Sequence, residues 1–143
     1  PPTAAPAPPP APAPTQPPAP PPAPPAIFAQ AGAEQRDADN TNFNVVTFWG
    51  RLGPTGSNPI GGGYRLRVSA PSGNGETAFG DVWQNANPGL ASEFRYNAKI
   101  ELPRTAGGYR AVVVDGGGRE VSDVISGALN ERTHDVILSW WPR

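Results

Sequence analysis

The chain has 143 residues, a net charge of −1 and neither cysteine nor methionine. Its basic residues are scattered singly among acidic ones, which leaves no electrostatic footprint for nucleic acid or an anionic membrane. Without cysteine there are no disulfides, thiol nucleophiles or thiolate metal sites, and no apolar run approaches the roughly 18 residues needed to cross a bilayer, so no membrane insertion is expected.

Residues 1–26 contain fifteen prolines and eight alanines. Proline fixes φ near the polyproline II value and carries no amide donor, and each residue before a proline is pushed toward extended geometry. This segment is therefore an extended polyproline II rod, reaching roughly 80 Å at about 3.1 Å per residue. Such a rod suits a stalk, a tether or a docking strand, because proline-rich stretches enter aromatic-lined grooves with little entropy left to lose. A chain opening on Pro1 is expected to be processed or part of something longer. Thr3 and Thr15 in a proline-rich stalk, together with the lack of sulfur, point toward an exported protein.

Residues 27–42, IFAQAGAEQRDADNTN, begin apolar and turn polar without a sustained period, and are expected to be a junction. Residues 43–143 form the single domain. Glycine and asparagine there punctuate short apolar runs every eight to twelve residues, the spacing of an all-β sandwich of about seven strands. VVTFWGRL, YRAVVVD, EVSDVIS and HDVILSWW are nearly continuous apolar strands, whereas YRLRVS alternates Tyr64, Leu66 and Val68 inward with Arg65 and Arg67 outward. FRYNAKIEL is the clearest alternation, with Phe94, Tyr96, Ala98, Ile100 and Leu102 on one face. GPTGSNPIGGG, APSGNGET and DGGGRE are turns, and GDVWQNANPGLAS is a longer loop.

FWGRL, GSNPIGG, YRLRVS, GGYRAVVVD and DGGGREVSD together resemble the transthyretin-like or carboxypeptidase regulatory-like (Ig-like) β-sandwich modules, which run from a glycine-containing first strand through a G-x-P-[IV]-x-G turn to a valine-rich strand and D-x-x-G. The resemblance spans residues 43–143. It implies an exported accessory, adhesive or structural module rather than a catalyst. The segment between Val68 and Phe94 is longer than in that pattern.

Chemistry is sparse in the sequence. The single histidine, His134, is followed by Asp135, and adjacent strand residues point to opposite faces, so the pair is not expected to make the hydrogen bond that orients a catalytic base. Glu76, Asp81, Glu93, Asp115, Glu120 and Asp123 lie mostly in glycine-rich turns, where solvation favours ordinary acids over a catalytic pair. Asp37, Asp39, Asn40 and Asn42 crowd together like a calcium loop, but Asn42 and Phe48 stand where an EF-hand needs glycine and glutamate. DGGGRE joins two strands with no helix to cradle a phosphate. No catalytic residue, metal or cofactor is expected.

The aromatic residues are the stronger signal. By parity on the last strand, Trp140 faces the core with Val136 and Leu138, while Trp141 lies on the other face with Asp135 and Ser139. Trp83 sits in the polar loop beside Gln84 and Asn85. Candidate partner-binding residues are thus Trp83, Trp141 and Tyr64, with Ile27 and Phe28 at the apolar end of the stalk. The expected function is a non-enzymatic extracellular or cell-surface subunit, forming filaments by self-association or contacting other surface proteins. The alternative is a carbohydrate-binding accessory module that holds a polysaccharide on its exposed rings.

Overall fold

A computed structural model describes residues 2–22, 25–86 and 94–143. Among them there is no helix, and ten strands replace the seven or so expected from sequence. The first sheet runs β1 (Phe28–Asp37), β10 (Thr133–Pro142), β2 (Val45–Leu52), β7 (Ala98–Pro103), with β10 and β2 parallel and the outer pairs antiparallel. The second is antiparallel throughout, in the order β4 (Gly73–Ala78), β3 (Arg65–Ala70), β8 (Gly107–Val114), β9 (Ile125–Leu129). A short ribbon pairs β5 (Gln84–Asn85) with β6 (Arg95–Tyr96).

The two four-stranded sheets share one core. Alternation supplies it: Val46, Phe48 and Leu52 from β2, Val136, Leu138 and Trp140 from β10, and Ala98, Ile100 and Leu102 from β7 meet Leu66 and Val68 from β3 and Tyr109, Ala111 and Val113 from β8. The sheets approach closely at Gly50, where an added Cβ would lie 2.9 Å from Leu66 Cδ2 and 3.0 Å from Phe79. The other face of β8 is also apolar, and Val112 and Val114 stand cross-strand from Arg67 and Arg65. Those arginines grip Glu76 at 3.0 and 2.7 Å, so long side-chain stems screen the valines while the charges stay wet.

The expected junction is mostly strand. β1 joins the sheet as an edge strand beside β10, and its start is fixed more firmly still. Ile27 and Phe28 both donate to the Val121 carbonyl, Arg143 donates to the Ile27 carbonyl at 3.0 Å, and the Phe28 ring is buried edge-on against Tyr64 with centroids 5.0 Å apart. Upstream of this anchor, every described residue from 2 to 22 is exposed and outside any strand.

The expected single strand FRYNAKIEL is broken at Asn97. This buried side chain accepts from the Leu52 amide at 2.9 Å and donates to the carbonyls of Ile60 and Gly80 at 3.1 Å. The break moves Phe94 and Tyr96 off the core face that Ala98, Ile100 and Leu102 occupy, and onto Trp49 on the outer face of the first sheet.

Candidate functional site

The outer face of the first sheet is built by its two central strands. Parallel register sets Thr47 beside Asp135, Trp49 beside Ile137, and Arg51 beside Ser139, all pointing away from the core. Ala86, Phe94 and Tyr96 close over Trp49 and Ile137, with the Phe94 and Tyr96 rings 5.3 and 4.7 Å from the indole. Trp49 Nε1 donates to Asp135 Oδ1 at 2.8 Å, which satisfies a carboxylate that would otherwise be costly to bury.

Among the described residues, that cover packs on Trp49 and Ile137. A groove of about 120 Å³ is lined by Gly32, Arg51, Thr55, Ser139 and Trp141, and it continues through Arg51 and Thr55 into a wider space of about 490 Å³ beside Phe94 and Arg95. Trp141 is 51% exposed. Arg51 is half-buried and its Nε donates to Ser139 Oγ at 3.0 Å. Burial pushes its guanidinium below the ordinary arginine value; the charge of Glu34 opposes the shift and that of Arg36 adds to it.

The five aromatic and apolar candidates fall into different settings. Ile27, at 46% exposure, and Trp141 come together at one end of the domain, because Phe28 pairs with Pro142 and Ala29 with Trp141. Phe28 belongs to the core and half-buried Tyr64 packs against it. Trp83 is half-buried, with its indole N–H given to the Ser57 carbonyl at 2.7 Å, and it lines neither part of the groove. Arg51, Arg95 and Ser139 escape a sequence reading centred on aromatics. The available signal is parity, since Arg51 shares a face with Trp49 and Ser139 with Trp141.

The expectation for His134 and Asp135 fails. His134 Nδ1 lies 3.0 Å from Asp135 Oδ2, although the residues are adjacent. Asp135 pairs with Arg36 and Thr133 with Asp37, leaving His134 as the extra residue of a bulge, and a bulge suspends strict alternation. Phe43 packs edge-on against the imidazole at 4.8 Å, so the pair is wedged between an aromatic ring and a buried indole.

The acidic turn residues are engaged with arginines. Glu76 pairs with Arg65 and Arg67, Glu120 with Arg110, Asp115 with Arg119, and Asp123 with Arg143. Asp81 Oδ1 fills the space beside Gly61 where a side chain would otherwise stand, and Glu93 lies outside the described residues. Asp37 is bonded to Asn130 and Thr133, and Asn40 caps the amide of Asn42. Among the described residues, no group of three or more histidine or acidic side chains converges to hold a metal ion. No family model, curated protein or solved structure matches the chain.

Proposed function

We propose that this chain is a non-enzymatic structural and interaction subunit of the extracellular space or cell surface, in which the proline-rich segment is a polyproline II stalk that docks between subunits. The observation that carries the reading is the contrast at residue 27. Every described residue from 2 to 22 is exposed, whereas Ile27 and Phe28 are locked into the fold by backbone bonds and a buried ring. A stiff rod on a rigid anchor transmits position, and its carbonyls, unmatched by proline N–H groups, are open to donors on another copy. The stalk root lies beside exposed Trp141, so reciprocal exchange between two copies closes a pair and passage to a third copy opens a filament. The domain itself is read as an Ig-like, transthyretin-like sandwich. In support, the turn sequences GSNPIGG and DGGGREVSD fall between β2 and β3 and between β8 and β9.

NMR of the full chain tests docking. The stalk alanine and threonine signals are expected to broaden as concentration rises, while signals that stay sharp at all concentrations overturn it.

A second reading, a carbohydrate-binding module, is favoured by one feature: the half-exposed indole of Trp141 standing at the mouth of an open groove.

A further inference from the structure

The chain has ten arginines and one lysine, and most of these cations are already matched. Arg36 holds Glu34, Arg65 and Arg67 share Glu76, Lys99 holds Glu101, Arg110 holds Glu120, Arg119 holds Asp115 and Arg143 holds Asp123. Arg104 and Arg132 donate to the carbonyls of Glu131 and Ala38. Two cations remain without a carboxylate or carbonyl acceptor among the described residues, Arg51 and Arg95, and both line the same groove. No acidic side chain is among its described lining residues.

We infer that the groove running from Trp141 to Phe94 binds an acidic polysaccharide, pairing sugar carboxylates with Arg51 and Arg95 and laying a sugar ring on Trp141. The inference rests on the carbohydrate-binding reading and names its ligand class. Ser139 holds Nε of Arg51 and so fixes the plane of the guanidinium, leaving both terminal nitrogens for a bidentate carboxylate. A half-buried cation has lost much of its hydration; Glu34 acts on Arg51 by its charge but is ion-paired to Arg36, so a ligand anion supplies the direct hydrogen bonds that Arg51 lacks. Thr55 and Ser139 add hydroxyls that both donate and accept, as sugar hydroxyls do, and Gly32 leaves the floor without a side chain. Trp141 at one end and Phe94 at the other frame an extended trough, a shape suited to a chain rather than a single small molecule.

The test titrates the full chain with oligogalacturonate, a neutral glucan oligosaccharide and poly-glutamate, following binding by calorimetry. Oligogalacturonate is expected to bind, to weaken with added salt, and to lose about tenfold in affinity in Arg95→Gln and again in Arg51→Gln, the loss of one charge-assisted hydrogen bond each. Trp141→Ala is expected to lose about tenfold as stacking disappears. Arg95 and Trp141 are exposed, so those two variants retain the fold should Arg51→Gln lose it. Equal binding of the neutral glucan overturns the inference and leaves the carbohydrate-binding reading standing. No binding of either glycan overturns both. Poly-glutamate binding as tightly, with Trp141→Ala without effect, overturns the inference in favour of plain charge attraction.

Discussion

The indole N–H of Trp49 and the carboxylate of Asp135 meet at 2.8 Å on parallel neighbouring strands, and each residue is 1% exposed. The same carboxylate engages His134, which makes it the polar link between that histidine and the buried indole. Asp135→Ala leaves a buried indole donor unpaired and is expected to cost about 1–3 kcal/mol. Asp135→Asn keeps an acceptor and should lose less. Urea unfolding of both variants checks this, and equal losses would show that the hydrogen bond contributes little.

Asn97 carries a similar role on the opposite flank of β2. Replacing it by alanine strands the Leu52 amide and removes donors from two loop carbonyls, for an expected loss of roughly 2–4 kcal/mol. Denaturant midpoints report it directly, and a loss under about 0.5 kcal/mol, the level of an ordinary surface change, would contradict it.

Phe28 is buried and Trp141 is half exposed. Phe28→Ala empties a site at the mouth of the core and is expected to cost about 3 kcal/mol, while Trp141→Ala should stay within about 0.5 kcal/mol in the isolated chain. Thermal melts of the two variants at low concentration decide it; a large loss in Trp141→Ala would place that ring in the fold rather than at a partner.

Sequence periodicity reveals elements whose two faces differ. β3, β7 and the apolar runs of β2, β8 and β10 are legible because burial imposes alternation or continuity on them. β1 is not, since it lies at a sheet edge and most of its residues are exposed, so its register comes from backbone bonds to β10 rather than from a hydrophobic face. β4 hides among glycines that read as a turn. Gly75 is there for closeness, because a Cβ would sit 2.5 Å from Ile100 Cγ2 across the sheets. The His134–Asp135 contact depends on a bulge, which no alternation pattern announces. The groove is harder still to read, since its described lining is drawn from β1, β2, β6, β10 and the loop after β2, a matter of tertiary placement. Parity alone does separate buried Trp140 from exposed Trp141.

Acid should weaken the fold. Hydrogen bonds from Arg67 and then Arg65 hold Glu76 below the ordinary glutamate range, and Arg110 does the same for Glu120. The Arg119 amide lowers Asp115, and the Gln30 amide followed by Arg143 lowers Asp123. A carboxylate depressed in the folded state contributes stability above its unfolded value and loses it as pH falls through the folded value. The urea midpoint is therefore expected to hold from pH 7 to about 5 and to fall below about 4, with a shallower fall in Glu76→Gln. Each group is open to water, so the individual contributions are small and their sum is what a pH series reads. A midpoint that rises between pH 5 and 3 would contradict the assignment.

In the proposed assembly the proline-rich segment joins subunits. Sedimentation velocity of residues 1–143 beside residues 27–143, over a range of concentrations and with the same samples viewed by negative stain, tests it most directly. Larger species are expected for the full chain alone and monomers for the stalkless one. Two indistinguishable monomers would contradict it.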